Sequence, residues 1–167
     1  MPGVIAWVQG GAAASPDEFH TAVRDGVSTQ LGDDIAFVTP AGTKCMTDAK
    51  NADGGLACLL RLRNPPPRPA AVEGEWVGGW VDFDGTTVQV GSAHGDPGRF
   101  TRGTGPELTD GATLRFGDFA CRADETALYC IDFAHQSGVR LADSGVGTFG
   151  CLHAVDAPAD GGLRFSC

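Results

Sequence analysis

The side chains able to do chemistry are few and scattered. Four histidines, His20, His94, His135 and His153, show no His-Glu-x-x-His or other close ligand spacing, so a zinc site would have to be assembled by tertiary structure alone. Gly91-Ser92-Ala93-His94-Gly95 brings a serine close to a histidine, but no Gly-x-Ser-x-Gly nucleophile elbow exists, and the run reads as a loop rich in turn residues. Asp82-Phe83-Asp84-Gly85 opens like a calcium loop and lacks the acids that should follow it, whereas Asp-Gly suits a hairpin turn. Glu73 and Glu75 read as a solvated rim, since nothing fixes a carboxylate separation suited to glycoside cleavage. What remains is binding. Trp76 and Trp80 stand four apart in an extended run, on one side of a strand with Asp82 and Gln89, where they could stack on a sugar ring or insert into a protein partner. The same spacing fits burial of both indoles against a second layer. The expected site has no catalytic residue, cofactor or metal, and its candidate ligand-binding residues are Trp76, Trp80 and His94.

Six cysteines at Cys45, Cys58, Cys121, Cys130, Cys151 and Cys167 form no Cys-x-x-Cys, so neither a zinc ribbon nor a thioredoxin-type pair is spelled out. An even number in this pattern reads as disulfides. Gaps of 13, 9 and 16 residues favour sequential closure, Cys45 with Cys58, Cys121 with Cys130 and Cys151 with Cys167. Such bonds belong to oxidising compartments, and each loop would stabilise the fold by about 3 kcal/mol. Because Met1-Pro2 and the short apolar run to Val8 lack a basic n-region, the expected mature chain follows a removed signal or lipid anchor, and no run approaches a membrane span.

The elements that must carry these residues are mostly short strands. Residues 76–90 form the clearest hairpin, with Asp84-Gly85 in a two-residue type I′ turn, Phe83 facing Thr86, Val81 facing Val88 and Gly79 facing Val90. This register puts the aliphatic side chains on one face and Trp80 on the other. Ser15-Pro16-Asp17-Glu18 predicts the start of one short N-terminal helix running to about Arg24. Asp25-Gly26 between Val23 and Val27 keeps a two-stranded alternative open. A weak internal repeat links residues 35–60 and 114–133, each reading as strand, turn and disulfide-clamped hairpin. Asn64-Pro65-Pro66-Pro67-Arg68-Pro69 must run extended and outside any central strand, as a stiff surface crossover, a linker or a PxxP ligand.

Composition agrees with strands and turns. There are 25 Gly and 10 Pro in 167 residues, which argues against a helical bundle, while 42% apolar residues suffice for a globular core. A net charge of −9 makes nucleic acid an improbable partner. Residues 1–14 read as an N-terminal segment and 15–167 as a single β-rich domain, a disulfide-stabilised β-sandwich or barrel-like fold built from two similar hairpin units.

Phe37-Val-Thr-Pro40-Ala-Gly42-Thr-Lys-Cys45, Leu56-Ala-Cys58, Pro65-Pro-Pro-Arg-Pro69, Trp76, Leu114-Arg-Phe-Gly117-Asp-Phe-Ala-Cys121 and Leu128-Tyr-Cys130 resemble, in this order, a family of actinobacterial secreted proteins and lipoproteins of unknown function, frequent in mycobacteria. The resemblance implies an exported, β-rich envelope protein and no established reaction. The chain departs from the family in Ala41-Gly42-Thr43, where Ser-Gly-Asn is frequent, and in carrying Cys151 and Cys167 in place of a further pair flanking the middle hairpin. The expected function is non-enzymatic, an extracellular domain binding a protein or an envelope glycan. The alternative is an envelope hydrolase with a serine or aspartate and His94 or His135 brought together by the fold, Ser92 and Ser137 being the serines to watch.

Overall fold

The computed structural model describes residues 1–50, 55–93 and 98–167, so His94 lies outside the described residues. The chain opens with α1 (Pro2–Gln9), β1 (Ala12–Ala13) and a 3-10 turn at Pro16–Phe19, followed by the hairpin β2 (Thr21–Arg24) and β3 (Val27–Gln30). Then come β4 (Ala36–Val38), β5 (Lys44–Thr47), β6 (Leu56–Leu59), β7 (Val77–Phe83) and β8 (Thr87–Ser92), and after a 3-10 turn at Gly98–Arg102, β9 (Ala112–Phe116), β10 (Phe119–Ala123), β11 (Ala127–Asp132), β12 (Ser137–Ala142) and β13 (Gly145–Gly150). β14 (His153–Val155) and β15 (Leu163–Ser166) complete the chain. Strands β9 to β13 pair antiparallel in chain order with β1 added parallel at one edge; β4 to β8 do likewise, with β15 and β14 added beyond β8. Both sheets are open.

Side-chain alternation explains how the sheets meet. Cys45, Cys58, Val81, Phe83, Val88 and Val90 point to one face, and Leu114, Cys121, Leu128, Cys130, Val139 and Leu141 to one face of the other sheet, all in a single buried cluster. Phe83 and Phe119 meet edge to face across it, ring centres 5.6 Å apart. The cystines Cys45–Cys58 and Cys121–Cys130 each join directly opposed residues of adjacent strands inside this core, and Cys151–Cys167 ties the C-terminus. Three cystines are typical of extracytoplasmic proteins, and no described helix is long and apolar enough to cross a membrane.

The outer faces are covered as well. Helix α1 lays Val8 on Ala120 and Ile131, with Val4 and Ile5 beside it. On the other sheet, Ala22 and Leu31 of the β2–β3 hairpin and Phe100 of the second 3-10 turn bury Ala36, Met46, Ala57 and Trp80. Strands covered on both sides read as near-continuous apolar runs, as Phe119-Ala-Cys121 and Leu128-Tyr-Cys130-Ile131 do.

Two expectations are corrected. The helix expected from Ser15 to about Arg24 is a single 3-10 turn followed by β2. Ser15 makes no side-chain cap, and Asp25 and Gly26 adopt φ of 51° and 79°, the left-handed pair that a type I′ hairpin turn needs. The short N-terminal helix is α1 instead, and together with β1 it places residues 1–14 against the same sheet. In the β7–β8 hairpin Phe83 faces Val88 and Val81 faces Val90, so the turn sits one residue later than expected. The carboxylate of Asp84 causes this by accepting the Thr86 and Thr87 N–H groups at 2.9 and 2.7 Å, putting Gly85-Thr86 at the tip. Since the partner shifts by two residues, each side chain keeps its expected face.

Candidate ligand-binding face

Of the expected site residues, Trp76 and Trp80 do not form an exposed platform, and His94 lies outside the described residues. Trp80 is 3% exposed, its ring edge-on to Phe100 at 5.1 Å and its Nε1–H donating to Asp82. Trp76 is half-buried over Gly91 and Pro66, and its Nε1–H donates to the Pro66 carbonyl. The second layer wins because the β2–β3 hairpin, expected as helix, supplies the apolar residues that cover Trp80.

Of the residues of the expected serine–histidine site, His94 lies outside the described residues, and Ser137 and His135 each bond to another group. Ser137 is buried and its hydroxyl donates to the carbonyl of Gly85. His135 Nδ1–H donates to Asp132 Oδ2 at 2.5 Å, and Asp132 Oδ1 also accepts the Ala134 N–H. The bond to Asp132 raises the His135 pKa above its usual 6.5, against a smaller opposing effect of desolvation. This is an imidazole held by a buried carboxylate, with no described hydroxyl or thiol aimed at it. No group of three or more His, Cys, Asp or Glu suited to a metal ion occurs among the described residues.

The structure instead exposes aromatic rings on the outer face of the β9–β13 sheet. Arg122, Tyr129, Arg140 and Gly147 lie directly opposite one another across β10, β11, β12 and β13. The Arg122 guanidinium sits 4.0 Å over the Trp7 ring and donates to the Trp7 carbonyl in the last turn of α1, where a cation suits the helix dipole. Trp7, itself 36% exposed, lies 4.7 Å from the Tyr129 ring, and Phe149 stacks on the far side of Tyr129 at 6.3 Å. Arg140 lies 5.8 Å from the Tyr129 ring, and its Nε–H donates to the Tyr129 hydroxyl. Arg115 covers Phe133 at 4.9 Å on the same face. Beside Phe149, a side chain at Gly147 would meet only Arg140, at 3.8 Å, and one at Gly145 would meet nothing within 4 Å. The β13 glycines thus leave an open trough between Arg140 and Phe149.

None of these residues stood out in the sequence, yet a signal was there. If Cys121 and Cys130 are opposed and point inward, Arg122 and Tyr129 are opposed and point outward. Trp7 had no such signal, because its apolar run is too short to declare a helix. No family model, curated protein or solved structure matches the chain.

Proposed function

We propose that this protein is an exported, non-enzymatic domain of the cell envelope that binds an envelope glycan through the outer face of the β9–β13 sheet. The observation that carries the reading is the row Trp7, Tyr129 and Phe149, three rings half-exposed or exposed and fixed by a rigid sheet next to an open trough. Flat aromatic faces stack on the C–H face of sugar rings while their edges stay hydrated, and a preorganised row loses little entropy on binding. Three cystines support an address outside the cytoplasm.

The reading includes two related proposals. The protein belongs with the actinobacterial secreted and lipoprotein group that its Gly and Cys spacing resembles. Its two sheets are two versions of one unit, since β4–β8 and β9–β13 run in the same order and each has its cystine across the second and third strands.

The test is co-sedimentation of the oxidised protein with insoluble cell-wall glycan. Binding that falls at least tenfold in Trp7→Ala and Phe149→Ala, with near-ultraviolet circular dichroism unchanged, is the expected result; equal binding by the variants refutes the site. The hydrolase alternative would need catalysis at Asp132–His135, and turnover of a wall substrate that disappears in His135→Ala would favour it.

A further inference from the structure

The charge of the outer face carries the reading further. The chain has 12 basic residues against 21 acids, yet the outward positions of β9 to β13, which include Thr113, Arg115, Arg122, Tyr129, Arg140 and Phe149, hold no acid. Helix α1, lying on this face, carries none either. Arg115, Arg122 and Arg140 each lie over an aromatic ring, and they make all the cation–π contacts found among the described residues. Among the described residues ion pairs join Arg24 to Asp25 and His135 to Asp132, and none joins a described carboxylate to Arg115, Arg122 or Arg140. Arg140 also reaches a depression of about 430 Å³ at the end of the sheet with Arg63, Thr126 and Ser144, where Glu125 and Asp143 supply the nearest acids.

We propose, resting on the glycan reading above, that the ligand is an acidic polysaccharide whose sugar rings carry carboxylates, with a ring seated in the trough at Gly147, between Arg140 and Phe149, and its carboxylate on Arg140. The Nε–H of Arg140 is fixed on the Tyr129 hydroxyl, which aims the guanidinium and leaves its terminal nitrogens for a two-point contact with a carboxylate. The chain's net −9 opposes an acidic polymer at long range, but at physiological salt this repulsion is screened beyond about 8 Å. The local arginine cluster then governs the contact. A sugar acid presents a stacking face and a carboxylate at its edge, which matches a guanidinium set beside a ring; a phosphatidylglycerol headgroup has the charge without the ring.

The experiment measures retention on immobilised polygalacturonate and on the same polymer fully methyl-esterified, using the oxidised protein. The expected result is retention on the acid form, at least tenfold weaker on the ester, weakening as sodium chloride rises, and reduced at least tenfold by Arg140→Gln and by Gly147→Leu. Gly147→Leu fills the trough at a position of ordinary backbone geometry, so it keeps the test decisive if Arg140→Gln disturbs folding. Equal retention on acid and ester overturns the anionic inference and leaves the glycan reading standing. Retention on neither polymer, nor on cell-wall glycan, overturns both. Full retention by Gly147→Leu overturns the site. Equal binding to anionic phospholipid vesicles overturns the sugar in favour of a headgroup phosphate.

Discussion

Replacing Gly85 with alanine tests whether the tip of the β7–β8 hairpin locks the two sheets together. Gly85 has φ of +100°, and an added methyl would overlap Asp132 Oδ2 while standing 2.8 Å from Asp132 Cγ and 3.0 Å from His135 Nδ1. Two effects add. The backbone conformation costs an L residue about 1–3 kcal/mol. Asp132, 3% exposed, must also turn away from His135 Nδ1–H and the Ala134 N–H, and a buried acceptor that loses its donors costs about 1–3 kcal/mol. The expected loss is about 2–6 kcal/mol, or a fall of about 4–24 °C in Tm for a domain of this size. Gly111→Ala is the control, since Gly111 has φ of +80° with nothing within 4 Å of the added carbon and therefore isolates the backbone effect. Guanidinium unfolding of the oxidised proteins, read by tryptophan fluorescence, gives both values. If Gly85→Ala is no worse than Gly111→Ala, the tip does not press on Asp132 and the reasoning fails. The same pair predicts a pH dependence. A histidine whose folded pKa is raised contributes stability that is complete below its unfolded value of 6.5 and is lost as pH rises through the folded value. Wild-type stability should therefore decline above about pH 6.5, and both Gly85→Ala and His135→Gln should flatten that decline.

Other expectations follow from the same contacts. Trp80→Ala should cost about 3–5 kcal/mol, because it empties a covered pocket, whereas half-buried Trp76→Ala should cost less; denaturant midpoints compare them. Removing Cys121–Cys130 as a double serine variant should cost about 3 kcal/mol or more, because a short loop is released and two hydroxyls enter the core. Asp84→Ala should destabilise at neutral pH and make no difference at low pH. Burial pushes this carboxyl up, but the Thr86 and Thr87 N–H groups and hydroxyls more than offset it and hold its pKa below 3.8, so its contribution is present above that value and is lost as pH falls through the folded one. Arg122→Ala should loosen α1, seen as faster amide exchange over Pro2–Gln9 with the β10–β12 amides unchanged.

What the sequence made legible was governed by short-range chemistry. The cystine pairing follows from loop lengths, and the face assignments in the β7–β8 hairpin survive because alternation fixes them whichever turn is used. The register itself turned on one side chain: Asp84 as an acceptor for two backbone N–H groups outweighs Asp-Gly as a type I′ turn. Residues 15–24 carried signals for both helix and hairpin, and tertiary contacts decided, since only the hairpin brings Ala22 and Leu31 down on Trp80. The outer aromatic face was hidden for a different reason. Trp7 lies 122 positions from Tyr129, and nothing local in the sequence states that α1 will lie across β10 and β11.

Helix α1 and the β2–β3 hairpin with the Leu31 that follows it come from the first 31 residues, while the sheets they cover are, apart from β1, built from residues 36–166. Their docking partners are therefore remote in sequence, and closing such long loops makes productive folding slow. During that interval the apolar outer faces around Met46, Ala57 and Trp80, and around Ala120 and Ile131, stand open together with the unpaired sheet edges. An early chain of this kind is prone to self-association before its cystines close. Its yield on refolding should then depend more on protein concentration and on the order of oxidation than on the final stability of the folded form.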